Sequence, residues 1–278
     1  MLKKAPANKR GILFKDFAGA VKEKRVINIA GQARSGKTTQ AKKLAAENGW
    51  IYFDSGLIYR AYAWKLLQEQ NAGRLKLKYS LDDYRMADYS KELDYFKLSN
   101  NEISEIESLL GDIKVDFRGG NVYVNGVLVD SDMLHNSVSV ETANRVLRSV
   151  PAFRSCTLAR ERSVRDALIK MGTVVIAGRG YAPDTAVNIY LHASIDERVR
   201  RAKLDGEEGT DAELRIRIEA RDSDDRANET LKDFPGVFNA LDTTPRSGAE
   251  SDEQNIERVF DEIEALLEDS QKKQDELT

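Results

Sequence analysis

Five short apolar runs punctuate the chain: VINIA at 26–30, IYF at 51–53, TVVIA at 173–177, VNIYL at 187–191 and VFNAL at 237–241. They are continuous rather than alternating. A strand with one wet face alternates apolar and polar positions, whereas a strand covered on both faces does not. Each run therefore predicts a strand in a sheet flanked on both sides. Between the runs the apolar positions recur at helical spacing. Helices are predicted over 38–48, closed by Gly49, and over 57–70, closed near Asn71-Ala72-Gly73. Another covers 151–170, with Pro151 at its first position and Gly172 beyond its end, and three more cover 194–204, 211–228 and 253–268. Pro at a helix start and Gly after its end follow from the missing proline N–H and from glycine's tolerance of left-handed backbone. The segment Ser194-Ile-Asp-Glu197 reads as a capping box, in which two orphan amides are satisfied reciprocally. Strands alternating with helices imply a mostly parallel sheet with crossover helices.

The middle of the chain changes period. IKVDFRGGNVYVNGVLV, 113–129, alternates apolar and polar positions around turns at GG and NG, the pattern of a small antiparallel meander. Lying inside an α/β chain, it marks roughly 75–148 as an insert. The core is then 25–74 plus 149–268, flanked by an extension at 1–24 and a polar tail at 269–278. The polar run DGEEGTD at 205–211 reads as a hinge between two helices, making about 195–228 a candidate lid.

Composition narrows the function classes. The 278 residues carry a formal net charge of -3, with 41% hydrophobic and 32% charged residues, as expected of a soluble globular protein. The balance argues against bulk nucleic-acid binding. Cys156 is the single cysteine, which excludes a disulfide framework and suits a reducing compartment. His135 and His192 are the only histidines and make no zinc pattern. No apolar run is long enough for a membrane span. The basic, weakly amphipathic extension reads as a solvated lead into the first strand, with a transit peptide or a membrane-surface helix as the competing reading.

The chemistry sits in GQARSGKTTQ, 31–40, between the first strand and first helix. Gly31 through Thr38 fit G-x-x-x-x-G-K-[ST], the phosphate-binding loop. Glycines let successive amides point into one cavity, and the helix start adds its free amides and positive dipole end. Gly31, Arg34, Ser35, Gly36, Lys37, Thr38 and Thr39 are the candidate ATP-binding residues. Lys37 reaches the outer phosphates, and the Thr38 hydroxyl is a candidate magnesium ligand. Asp54 ends the second strand and is either a second magnesium group, acting through water, or the cap of the helix that follows.

DSGLIYR at 54–60 follows that strand, where ligands collect beyond the carboxyl ends of a parallel sheet. Here the chain resembles the bacterial-type cytidylate kinases, P-loop nucleoside monophosphate kinases with D-[ST]-G-x-x-Y-R at this place. The resemblance continues in order through ANRVLRSVPAFR (143–154), VVIAGRG (174–180), NIYLHASIDERVRR (188–201) and ARDSDDRAN (220–228), covering roughly 26–268. It implies a three-layer fold with a five-stranded parallel sheet, a nucleotide-binding insert containing antiparallel strands, and a helical lid. It also implies ATP-dependent conversion of CMP or dCMP to the diphosphate, by a cytoplasmic, magnesium-using monomer without nucleic-acid or membrane partners. By the resemblance, Arg198 and Arg201 join Lys37 as catalytic residues, closing on the transferring group. Ser55, Tyr59, Arg60, Arg145, Arg154, Arg179, Arg221 and Asp225 are the implied acceptor-binding residues. Arginine suits phosphate because its planar fork stays charged and binds bidentately.

The chain also departs from the family pattern. Ala177-Gly178-Arg179-Gly180 replaces D-G-R-D, Arg145 aligns with a base-reading serine, Asn228 replaces an acceptor-site arginine, and GKTT replaces GKGT. The phosphate machinery is mostly kept while the base-reading groups change. A kinase of another or modified nucleotide, or a non-catalytic nucleotide-binding module, is the competing expectation.

Overall fold

The computed structural model describes residues 26–81, 98–118, 120–135, 137–178, 187–227 and 239–275. The extension at 1–24, Arg179, Gly180, Asn228 and the first two residues of the fifth apolar run lie outside the described residues.

The apolar runs form one parallel sheet: β1 (Val26–Gly31), β2 (Ile51–Asp54), β6 (Val174–Ala177), β7 (Val187–His192) and β8 (Asn239–Asp242), in the order β2-β6-β1-β7-β8. All six residues of β1 are buried, as its continuous apolar run requires. Helix α1 (Lys37–Asn48) and the last helix, α9 (Asp252–Asp275), cover one face, packing Leu44, Val259, Phe260 and Ile263 on Ile29 and Ile189. On the other face, α2 (Gly56–Asn71) and α6 (Pro151–Ile169) share a core with the insert.

The insert comprises α3 (Asn100–Leu110), β3 (Val115–Arg118), β4 (Asn121–Val124), β5 (Val127–Val129), α4 (Ser131–His135) and α5 (Ser137–Ser149). Its three strands form the expected meander, in the order β3-β4-β5. Asn125 and Gly126 both take positive φ (51° and 80°), the pairing that a two-residue hairpin matching strand twist demands. Phe53 of β2 meets Phe117 of β3 edge to face, with centroids 5.1 Å apart. Phe153 of α6 packs on Tyr62 of α2 at 6.3 Å. Such ring pairs add about 0.5–1.5 kcal/mol beyond the area they bury, the first tying the insert to the core and the second joining two core helices.

The candidate lid is α7 (Ile195–Leu204) and α8 (Asp211–Ala227), packed through Val199, Ala202, Leu214 and Ile218. Two expectations are corrected here. Only half the capping box forms: Ser194 Oγ accepts from the Glu197 amide, while the Glu197 carboxylate accepts from Arg200 and Arg201. The polar tail is helical as far as Asp275, because Glu, Gln and Lys are good helix formers that propagate α9 past its apolar stripe.

Candidate active site

Three strand ends converge where the chain leaves the sheet. Ser55 donates its amide to Ala177 O at 3.0 Å, and Gly178 donates to Ile29 O at 3.1 Å. The ends of β2, β6 and β1 are thereby laced together beneath the site.

The phosphate loop occupies the end of β1. A side chain at Gly31 would place its Cβ 2.0 Å from Leu191 O, so only glycine lets the loop pass β7. Gly36 ends the loop in left-handed backbone (φ 85°) and starts α1. Three loop amides are used internally: Gln32 to Leu191 O, Ser35 to Gln32 O, and Ala33 to the Asp222 carboxylate. The amides at the start of α1 form a helix N-terminus, the kind of site that holds anions. The Lys37 ammonium reaches back to Gln32 O. Thr38 and Thr39 are exposed at this start, and Ser35 is fully buried.

Arg201 lies over the loop. Its Nη1 donates to Arg34 O at 3.2 Å and stands 3.6 Å from where a Cβ on Gly36 would be. The same Nη1 donates to Thr243 Oγ1 at 2.9 Å, and Nε donates to Glu197 at 2.7 Å. Burial pushes the Glu197 carboxyl up, but Arg200 and Arg201 outweigh it and hold Glu197 below the usual range. Arg198 goes elsewhere: it is buried and pairs with Asp222. Arg34, at φ 63°, pairs with Asp205 and Glu207 of the hinge, and burial holds its pKa below the usual arginine value.

The end of β2 carries the second cluster. Asp54 Oδ1 accepts from the Gly56 amide at 2.9 Å, and Oδ2 accepts from Arg60 Nη2 at 2.8 Å. His135, from the insert, sits 3.4 Å from the same Arg60 nitrogen. Burial raises the Asp54 carboxyl, yet His135 and Arg60 hold it below the usual range. Asp54 thus accepts from the first amide of α2 from one residue ahead of the N-cap, Ser55. Ser55 Oγ is turned toward Ala177 O at 3.3 Å, and the Tyr59 ring packs 6.4 Å from Phe153. Arg154 is half-buried in the first turn of α6, and Arg221 is half-buried on α8. Arg145 lies on α5 and Asp225 on α8, their side chains outside what is described.

Sequence reasoning missed Thr243, Asn255, Asp222 and His135. The Thr243 hydroxyl lies 3.0 Å from Ser35 O, and Asn255 Nδ2 donates to Thr243 O at 3.0 Å, supporting the loop from β8 and α9. Their one signal was position: Thr243 follows the last apolar run, at the carboxyl edge of the sheet. Among the described residues no cluster of three or more His, Cys, Asp or Glu could hold a metal ion, and no helix is long and apolar enough to cross a membrane.

The family model described as cytidylate kinase matches residues 27–264. A cytidylate kinase of Roseiflexus castenholzii is 34% identical over 209 residues, 72% of this chain and 80% of that one. A bifunctional pantoate ligase/cytidylate kinase of Prochlorococcus marinus is 26% identical over 276 residues, covering 94% of this chain and 46% of that protein. Thymidylate kinase from Candida albicans superposes over 89% of this chain and 92% of that chain, at 12% identity and a TM-score of 0.40.

Proposed function

Because the chain belongs to the cytidylate kinase family, we propose that it transfers the γ-phosphoryl group of ATP to CMP or dCMP, giving ADP and the nucleoside diphosphate. The observation that carries this reading is the family match itself, whose span of 27–264 takes in the loop, the insert and the lid. It disfavours a kinase of some other nucleotide and a non-catalytic binding module.

Phosphoryl transfer asks the protein for in-line positioning, charge neutralisation and exclusion of water rather than covalent chemistry. The amides at the start of α1 and the Lys37 ammonium hold the β- and γ-phosphates. Arg201, braced by Glu197 and Thr243, brings positive charge to the mouth of the loop, where charge develops on the transferring group. Arg60, with Arg154, Arg179 and Arg221, holds the acceptor phosphate, and Asp225 and Arg145 meet the nucleoside. The exposed Thr38 hydroxyl suits a magnesium ion bound by the phosphates. Asp54 suits an outer role, since both of its oxygens already accept hydrogen bonds. When bound, that ion supplies charge neutralisation and a fixed phosphate geometry. The enzyme is read as a cytoplasmic monomer of pyrimidine nucleotide metabolism.

A coupled ADP-release assay over CMP, dCMP, UMP, dUMP, dTMP and AMP tests this. CMP or dCMP is expected to turn over fastest, and inactivity on both would refute it.

A further inference from the structure

We propose that Asp222 is a positioning residue for phosphoryl transfer, a single buried carboxylate that sets both the phosphate loop and a lid arginine. The inference rests on the phosphotransfer reading above. Asp222 is 6% exposed and its partner Arg198 is 5% exposed. One oxygen, Oδ1, accepts from the Ala33 amide of the loop at 3.2 Å. The other, Oδ2, accepts from Arg198 Nη1. The three groups come from three separate pieces of chain: the loop after β1, helix α7 and helix α8.

A second contact holds the same residue of the loop. The Ala33 methyl is buried in the apolar cluster of Val199, Ala202, Leu214 and Ile218. Ala33 is thus gripped through its side chain by both lid helices and through its amide by Asp222. This orients the loop. With the Ala33 amide pointed away at Asp222, the cradle is left to the amides nearer α1. A shift of α8 must move the carboxylate, and with it the backbone of the loop.

Two charges buried together are a poor way merely to fasten two helices, since an apolar pair of similar volume does so as well or better. An apolar pair has no acceptor for the Ala33 amide and no means of orienting a guanidinium. The ion pair therefore makes sense as a setting device: the negative charge beside the loop is tolerable because Arg198 balances it. Asp222→Asn keeps the shape but turns an amide group or a weakened acceptor toward Arg198, leaving a buried cation unpaired.

The test measures kcat and the KM values for ATP and CMP in Asp222→Asn and Asp222→Glu, well below each Tm and per folded molecule. A 1 Å misplacement of a positioned group costs about 100-fold, so kcat of Asp222→Asn is expected to fall by roughly that factor. The KM for ATP should change by less than about threefold, the pattern of an interaction that matters in the transition state. Asp222→Glu, which keeps the charge, should recover about tenfold of the loss. A folded Asp222→Asn protein with wild-type kcat overturns the proposal. Hydrogen exchange on the wild-type protein with a non-hydrolysable ATP analogue alone covers variants that do not fold. Protection is expected to rise together at 33–36 and 198–222, and protection of the loop with none at 218–222 overturns the link. That arm needs no acceptor, so it separates this inference from the CMP assignment, which fails only if the wild-type enzyme leaves CMP and dCMP untouched.

Discussion

Arg201 Nη1 donates to the main-chain oxygen of Arg34 across a sequence separation of 167, binding α7 directly to the outer turn of the phosphate loop. A guanidinium held this way is already in place before nucleotide arrives. In the proposed phosphotransfer such a charge would act without reorganising. Arg201→Ala and Lys37→Ala should each lower kcat about 100- to 1000-fold, the usual effect of deleting one preorganised charge or donor. Steady-state phosphotransfer with circular dichroism as a folding control checks this, and turnover near the wild-type rate in either variant contradicts it.

Arg34 itself holds a backbone angle that glycine adopts freely. Its φ of 63° costs a non-glycine residue about 1 kcal/mol or slightly more, a strain retained at functional sites when surroundings enforce it. Its pairs with Asp205 and Glu207 are partly exposed and return about as much. Arg34→Gly should thus leave Tm within a few degrees, near the resolution of a change of about 1 kcal/mol. It should nonetheless speed hydrogen exchange at 203–210, because the hinge loses its anchor on the loop. Unchanged exchange there would show that Arg34 does not hold the lid.

Base discrimination should be weaker than the retained phosphate machinery suggests. Cytosine's amino group needs an acceptor, and glycine at 180 has no side chain while arginine at 145 can only donate. Losing one such partner costs about 1–3 kcal/mol of discrimination. CMP should therefore exceed UMP in kcat/KM by a modest factor. A preference of about 10,000-fold, typical of a site built on a substrate hydrogen bond, would show that another group of the insert reads the amino group.

Glu161, on α6, links stability to pH. Burial pushes its carboxyl up to about 7, the Asp54 charge adds to this, and Arg165 and Arg162 oppose it. Unfolded, it titrates near 4.5. The folded protein therefore keeps a proton that the unfolded chain gives up between these values, and stability falls as pH rises through that window. Glu161→Gln removes the penalty. It should stabilise the protein at about pH 8 by on the order of 1–3 kcal/mol and change little at about pH 4. Urea unfolding at both pH values measures it, and an equal effect at the two would exclude the linkage.

Much of the frame was legible because it rests on local pattern. The central strands β1, β6 and β7 announced themselves as unbroken apolar runs and are buried, whereas the edge strands β2 and β8 are more open; the loop showed as glycines and a lysine between a strand and a helix, and the hairpin as Asn125-Gly126. The site's bracing was not legible, because it is tertiary. Nothing local tells that Arg198 turns inward: its helix reads as an ordinary charged segment, and its partner lies 24 residues on, on another helix. Glu197 was expected to close a capping box, and two arginines on its own helix won it instead, since three charge-assisted bonds outweigh one bond to an amide. Thr243 and Asn255 are single polar residues whose importance comes only from what folds against them.

The support of Ser35 by Thr243, and of Thr243 by Asn255, has a consequence for how the protein comes into being. The nucleotide loop leaves the ribosome some two hundred residues ahead of the braces that finish it. At about 5–20 residues per second that is a wait of roughly 10–40 s, during which the loop lacks these two braces. Competence to hold nucleotide should thus arrive abruptly, when the final strand docks at the sheet's open edge.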